Sequence, residues 1–281
     1  MTRVRRRPGP ASGPQPVGRR SERAGGSTRK ANHVRKNRKL WESTSDWYDR
    51  HFQTVLSGRF AMAWGLWRIP EARLHLLGTV RHRDILELGC GAARWSIALK
   101  KRGARTFGLD SSRSQLYKAV RLQRAAGARF PIVQASAEQV PFRDASFDVI
   151  FCDWGAMTFC DPYRTVPECA RLLRTGGALV FAHGSPIRAL ATNRSSETIS
   201  RRLVNPYFGL HREEFRREVN FQLTYGGWID LFVKNRLQVV GLSETQPKER
   251  MASRYLRRGE ERWARSWPME SIWKLRKESA P

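Results

Sequence analysis

From residue 84 onward the chain alternates short apolar runs with longer stretches in which apolar residues recur every three or four positions. Residues 84–88, 105–109, 130–134, 147–152 and 178–182 read as strands, apolar enough to be buried on both faces. Between them 93–101, 113–126 and 163–173 read as helices; in the second, Leu116, Ala119, Val120 and Gln123 fall on one face. Strands separated by helical stretches of this length predict βαβ units, hence a parallel sheet with helices on both sides. The rhythm breaks over 185–225, a polar stretch with Pro186, Pro206 and Gly209 as breakers. It returns as a helix over 226–235 and strands over 237–242 and 272–275.

Upstream of this pattern, Trp41, Trp47, Tyr48, Phe52, Val55 and Leu56 stand at mixed helical spacings, and Ser45 and Asp46 are able to cap. Residues 60–77 are helix-like, divided at Pro70. Residues 1–40 are rich in Arg, Pro, Gly and Ser, with little apolar surface to offset the entropy of ordering them. The expected organisation is a disordered basic tail (1–40), a helical lid segment (41–80), a sheet core (81–184), an insertion lying over one edge of the sheet (185–225) and a C-terminal part completing the sheet (226–281).

Charge narrows the partners only in part. There are 52 Lys and Arg against 25 Asp and Glu, a net charge of +27, and the first 40 residues hold 13 bases and one acid, Glu22. A basic surface attracts phosphate polyanions through counterion release, so nucleic acid and an anionic membrane surface are candidate partners. The group Arg212, Arg216 and Arg217 reads as a solvated helix face. Cys90, Cys152, Cys160 and Cys169 form no CxxC pair and have no companion His at zinc spacing, so no metal is expected. There is no apolar run of about 18 residues to span a bilayer and no apolar stretch behind the charged start, which points to a cytoplasmic protein with reduced thiols.

The chemistry gathers at Ile85-Leu86-Glu87-Leu88-Gly89-Cys90-Gly91-Ala92-Ala93, where an apolar strand runs into a Gly-x-Gly turn and then a helix. Glycines there let the backbone turn tightly and approach a ligand, and the helix start offers free N–H groups. Asp110 follows 19 residues beyond Gly91 at the end of the next strand, where a carboxylate accepts from both hydroxyls of a ribose. Gln134-Ala135-Ser136-Ala137-Glu138-Gln139-Val140-Pro141-Phe142 follows the third strand, and 147–153 is a buried strand delivering Asp153 to the carboxyl edge. A dinucleotide site fits poorly, because Arg94 stands where the last glycine of Gly-x-Gly-x-x-Gly belongs.

These motifs, in this order and spacing, resemble the class I S-adenosylmethionine-dependent methyltransferases, which carry E-L-G-C-G-x-G, an acidic ribose binder, D-A-x-x-L-P-F and F-D-x-V. The resemblance covers about 84–183, with a similar closing strand at Ile272-Trp273-Lys274. It implies a Rossmann-like α/β fold with a seven-stranded, mostly parallel sheet and a C-terminal antiparallel strand. It implies S-adenosyl-L-methionine as cofactor, with Glu87, Gly89, Cys90 and Gly91 around its methionine moiety and Asp110 and Ser111 at its ribose. Ser136, Ala137 and Glu138 would sit at its adenine, Cys152, Asp153 and Trp154 under its methyl group, and Trp47 and Tyr48 on a closing lid. Two positions depart from the family. Ala93 replaces the usual third glycine, a mild change if that residue is already helical, and Ser136 replaces an aspartate, leaving an uncharged acceptor for the adenine amine.

Methyl transfer from a sulfonium mainly requires alignment, and a base is needed only where the acceptor keeps its proton. Asp153 and His183 are the candidate acid–base groups. The insertion over 185–225, with Tyr207, Phe208, Phe215, Phe221 and Tyr225, is the expected acceptor-selecting cover. A small-molecule acceptor is the leading reading; an RNA or other nucleic-acid acceptor and a non-catalytic cofactor-binding module are the alternatives.

Overall fold

The apolar runs form a single seven-stranded sheet. A computed structural model describes residues 25–52, 61–247, 253 and 255–279. Its strands are β1 (Asp84–Leu88), β2 (Arg105–Asp110), β3 (Ile132–Gln134), β4 (Phe147–Asp153), β5 (Leu173–Gly184), β6 (Leu237–Glu244) and β7 (Glu270–Lys277). They lie in the order β3-β2-β1-β4-β5-β7-β6. The four pairs among the five strands from β3 to β5 are parallel ladders, and β7 inserts antiparallel to both β5 and β6. The strand order reverses between β1 and β4, which opens a crevice at their carboxyl ends.

Alternation along β4 explains why the sheet is covered on both sides. Ile150 and Cys152 join the core formed with α5 (Pro162–Leu172) and α6 (Tyr225–Lys234), while Val149 and Phe151 point to the other face, against α2 (Arg94–Lys101) and Trp64. Local signals set the helix ends. The Ser112 hydroxyl accepts from the Gln115 N–H at the start of α3 (Arg113–Ala126), and Gly127, at φ 61°, ends it. Asp161 caps α5 in the same way, with Pro162 in its first turn.

Three expectations are corrected. First, the basic tail is not disordered throughout: α1 (Gly25–Phe52) is one 28-residue helix that includes residues 25–40. His33 and Asn37 are buried against the core, at 2% and 4% exposure, because their polar atoms find partners there. The expectation for residues 1–24 lies outside the described residues.

Second, residues 61–74 are not a helix divided at Pro70. Ala63–Trp64 pairs with Ile69–Pro70 as a short antiparallel hairpin, followed by one helical turn over Glu71–Leu74. The turn needs left-handed backbone at Gly65 (φ 67°) and Arg68 (φ 48°), and Trp64 is fully buried against Trp95 and Phe151. Third, Ala93 is not helical. It sits at φ 56°, ψ 33°, in the left-handed region a glycine would favour, so the usual third glycine is replaced where its freedom is used.

Candidate active site at the carboxyl edge of the sheet

A cavity of about 310 Å³ lies at the carboxyl ends of β1, β2 and β4, roofed by α1. Gly89 makes its floor possible. At φ 68°, a side chain there would place its Cβ 2.5 Å from the Ala156 backbone nitrogen, the first residue of α4 (Ala156–Phe159). The Gly89 and Cys90 N–H groups donate to the Leu109 carbonyl at 2.8 and 2.9 Å, tying the loop after β1 to β2.

Four carboxylates line this space: Asp49 of α1, paired with Arg94 at 2.6 Å, and three at the sheet edge. Asp110 accepts from the Gly91 N–H through Oδ2 and from the Ser112 N–H through Oδ1, both at 2.8 Å. Two amides thus fix its plane, and burial raises its pKa against their pull. Glu87 takes both of its bonds on one oxygen: the Ser96 N–H at 3.0 Å and the Ser96 hydroxyl at 2.6 Å donate to Oε2. Burial pushes Glu87 up to about 8, with Ser96 acting against the shift. Asp153 accepts from the Gly65 N–H at 2.8 Å and pairs with Arg68 at 3.3 Å; burial raises its pKa and the Arg68 charge opposes the rise.

Aromatic groups close the rest. Tyr48 of α1 hydrogen-bonds Tyr255, and burial pushes the Tyr48 hydroxyl well above its ordinary range. Trp41 packs edge-on to both Tyr48 and Phe159. Trp154, in left-handed backbone at φ 55°, donates its indole N–H to the fully buried Glu270 at 2.6 Å, which fixes the ring beside the cavity.

Of the residues singled out in the sequence, Tyr48, Glu87, Gly89, Cys90, Gly91, Asp110, Ser111, Ser136, Ala137, Asp153 and Trp154 line the cavity. Others do not. His183 is 3% exposed and lies away from the lining; its Nε2 faces the Phe221 carbonyl at 2.9 Å, and its Nδ1 faces the Gly184 carbonyl at 2.7 Å with the Gln222 amide nitrogen at 3.2 Å. Burial lowers it to about 4, so it is a neutral structural histidine and not an acid–base group for a cavity-bound acceptor.

Cys152 is fully buried, with its sulfur accepting from the Met157 N–H inside the core. The Glu138 carboxylate turns away from the cavity to His33 at 2.5 Å, the Asp161 N–H at 2.9 Å and Arg164 at 3.4 Å. Trp47 is 51% exposed and stacks on His51, outside the lid contact. No residue of 185–225 lines the cavity, which is covered instead by Val34, Asn37, Trp41, Tyr48 and Asp49 of α1 together with Arg68 and Tyr255. The sequence signal missed was the spacing His33, Asn37, Trp41, Ser45, Tyr48, one face of a helix that crosses the tail boundary.

The residues present fit an adenosine cofactor bearing a cationic amino-acid tail. Gly89 and Gly91 leave a cradle without side chains, Asp110 is held with lone pairs left to accept, and Glu87 is a buried acid with an oxygen to spare for a cation. Among the described residues no group of His, Cys, Asp and Glu is placed to hold a metal ion.

Comparison with known proteins agrees with this geometry. Residues 86–181 match a family described as a methyltransferase domain. A demethylmenaquinone methyltransferase from Clavibacter sepedonicus is 30% identical over 146 residues, 52% of this chain, and the chain spans 57% of that relative's length. An S-adenosylmethionine-dependent methyltransferase from Mesorhizobium loti superposes with a TM-score of 0.58 at 22% identity, over 73% of this chain and 96% of that one. The 1,6-didemethyltoxoflavin-N1-methyltransferase of Burkholderia thailandensis, solved with 1,6-didemethyltoxoflavin and S-adenosylhomocysteine, superposes with a TM-score of 0.57 at 13% identity. It covers 96% of this chain and 94% of its own. At these identities the structural likeness is one of fold.

Proposed function

We propose that the chain is a class I S-adenosylmethionine-dependent methyltransferase and that it methylates a small, largely apolar ring compound. The observation that carries this reading is the cavity itself. Its cofactor end is built from Glu87, Gly89, Gly91, Asp110, Ser136 and Ala137, and it continues into a space walled by Tyr48, Trp154 and Tyr255 under the roof of α1. Such a mainly apolar space walled by aromatic rings fits a planar small molecule. The demethylmenaquinone methyltransferases among its relatives support an acceptor of that kind.

S-adenosylmethionine would supply a methyl group already bonded to a good leaving group. The chain's own residues then have two tasks, alignment and exclusion of water. Asp110 would hold the ribose hydroxyls, Glu87 the ammonium, and Ser136 and the Ala137 backbone the adenine edge. Asp153, fixed by Gly65 and Arg68, lies close enough to Tyr48 and Tyr255 to act on both electrostatically, and would orient an acceptor hydroxyl or amine and take its proton where it has one. The four cysteines, all unpaired, support a reducing cytoplasmic setting.

Titration calorimetry of S-adenosylhomocysteine into the full chain tests the cofactor, with Asp110→Ala as control. Micromolar binding that weakens at least about 100-fold in the variant is expected from losing a charged hydrogen-bond acceptor, roughly 3 kcal/mol. No binding to the intact chain overturns the reading. Transfer of a labelled methyl group to a panel of quinols, phenols and heteroaromatic amines then identifies the acceptor.

A further inference from the structure

Arg113, Tyr117, Arg121 and Arg124 project from one side of α3. At 3.6 residues per turn these four positions fall within an arc of about 80°. The opposite side of the helix, with Gln115, Leu116, Ala119 and Gln123, is buried. All three arginines are exposed, and Tyr117 is 67% exposed between them. Residues 113–129 contain five bases and no acid. Of these bases Lys118 is paired, to Asp46 at 2.9 Å, while no ion pair among the described residues involves Arg113, Arg121 or Arg124.

Arg121 and Arg124, one helical turn apart, repel each other, and no ion pair among the described residues compensates them. The fold therefore leaves a cationic track that an outside polyanion would complete. The arc carries no aliphatic side chain to enter a bilayer, which disfavours a lipid surface. It does carry an exposed ring between cations, the combination that takes phosphates on the arginines and a base on the aromatic face.

We propose that this face of α3 binds single-stranded nucleic acid, with Arg113, Arg121 and Arg124 on successive phosphates and Tyr117 stacked on a base. The surface lies outside the cavity, so the inference does not depend on what the cavity methylates.

The test is fluorescence anisotropy of a 5′-fluorescein-labelled 20-nucleotide oligo(U) RNA with the full chain between 50 and 200 mM salt. Removing three phosphate contacts in the Arg113→Ala/Arg121→Ala/Arg124→Ala variant lowers the slope of log affinity against log salt by about 2, at roughly 0.7 per phosphate. Tyr117→Ala weakens binding about fivefold or more and leaves that slope alone. Melting temperature and S-adenosylhomocysteine affinity stay at wild-type values in both variants, because the substituted side chains are exposed.

Unchanged affinity and slope in the triple variant overturn the proposal and place any RNA binding elsewhere on the basic chain. Absence of RNA binding by the wild type overturns it as well. So does binding to phosphatidylserine vesicles that the RNA cannot displace but the triple variant abolishes.

Discussion

Glu87 has one oxygen occupied by Ser96 and a pKa pushed up to about 8 by burial, so at pH 7 the group carries a proton for most of the time. A cation arriving beside it draws that proton off. If the cation is the ammonium of the methionine moiety, binding of S-adenosylhomocysteine at pH 7 releases close to one proton. Calorimetry in phosphate and in Tris measures this as a difference in apparent enthalpy, and Glu87→Gln abolishes the difference while weakening binding. An equal enthalpy in both buffers for the wild type would show that Glu87 does not meet the ammonium. Gly89 carries a second prediction at this scale. Gly89→Ala combines left-handed backbone with a 2.5 Å approach to the Ala156 nitrogen, and should cost about 2–5 kcal/mol in urea unfolding. Both residues were legible in the sequence because strand, turn and acid are contiguous. Ala93 shows the limit of that reading: its residue type suits a helix start, and only the backbone reveals the left-handed conformation it adopts.

At the scale of elements, α1 is attached to the core through polar contacts, which composition conceals. Asn37 donates to the Phe159 carbonyl at 2.9 Å and to the Val219 carbonyl at 2.8 Å, and accepts from the Val219 N–H at 2.8 Å. Asn37→Ala leaves those backbone groups unpaired in a buried place, a cost of about 2–4 kcal/mol in docking the helix. Hydrogen exchange should then rise along α1 while the amides of β1 and β4 keep their protection, and S-adenosylhomocysteine should dissociate faster. Equal protection of α1 in the variant would mean that the aromatic contacts of Trp41 and Tyr48 hold the roof by themselves. An Arg-rich segment was legible here as a tail, since disorder is inferred from how little a segment can bury. His33 and Asn37 bury polar surface against partners more than 100 residues away, and no local pattern announces those partners.

For the whole molecule, several carboxylates are buried at one edge of the sheet, and burial raises Glu87, Asp110, Asp153 and Glu270 alike. A carboxyl whose folded pKa lies above its unfolded value stabilises the fold fully below the unfolded value, and that contribution is lost as pH rises through the folded one. For Glu87 the window runs from 4.5 to about 8, and the loss is on the order of 5 kcal/mol. His183 acts in the opposite direction, but only below its ordinary 6.5, where its lowered pKa makes stability fall with falling pH. Between pH 6.5 and 8 the ligand-free protein should therefore lose melting temperature steadily, and Glu87→Gln should flatten most of that slope. A flat wild-type profile in that range would show that Glu87 is ionised in the fold. Sequence alone determined the parallel core, the positions of its strands and the loops that line the cavity, because each is written in a local run: apolar strand, glycine turn, helix, acid at the strand end. Only the tertiary structure decided what encloses the cavity. Its walls come from α1, from a hairpin at 63–70 and from Tyr255, segments far apart in the chain. It also removed His183 from the site and kept 185–225 from covering it. Burial and partner geometry, which are properties of the packed chain, settle such roles, and residue type and spacing do not carry them.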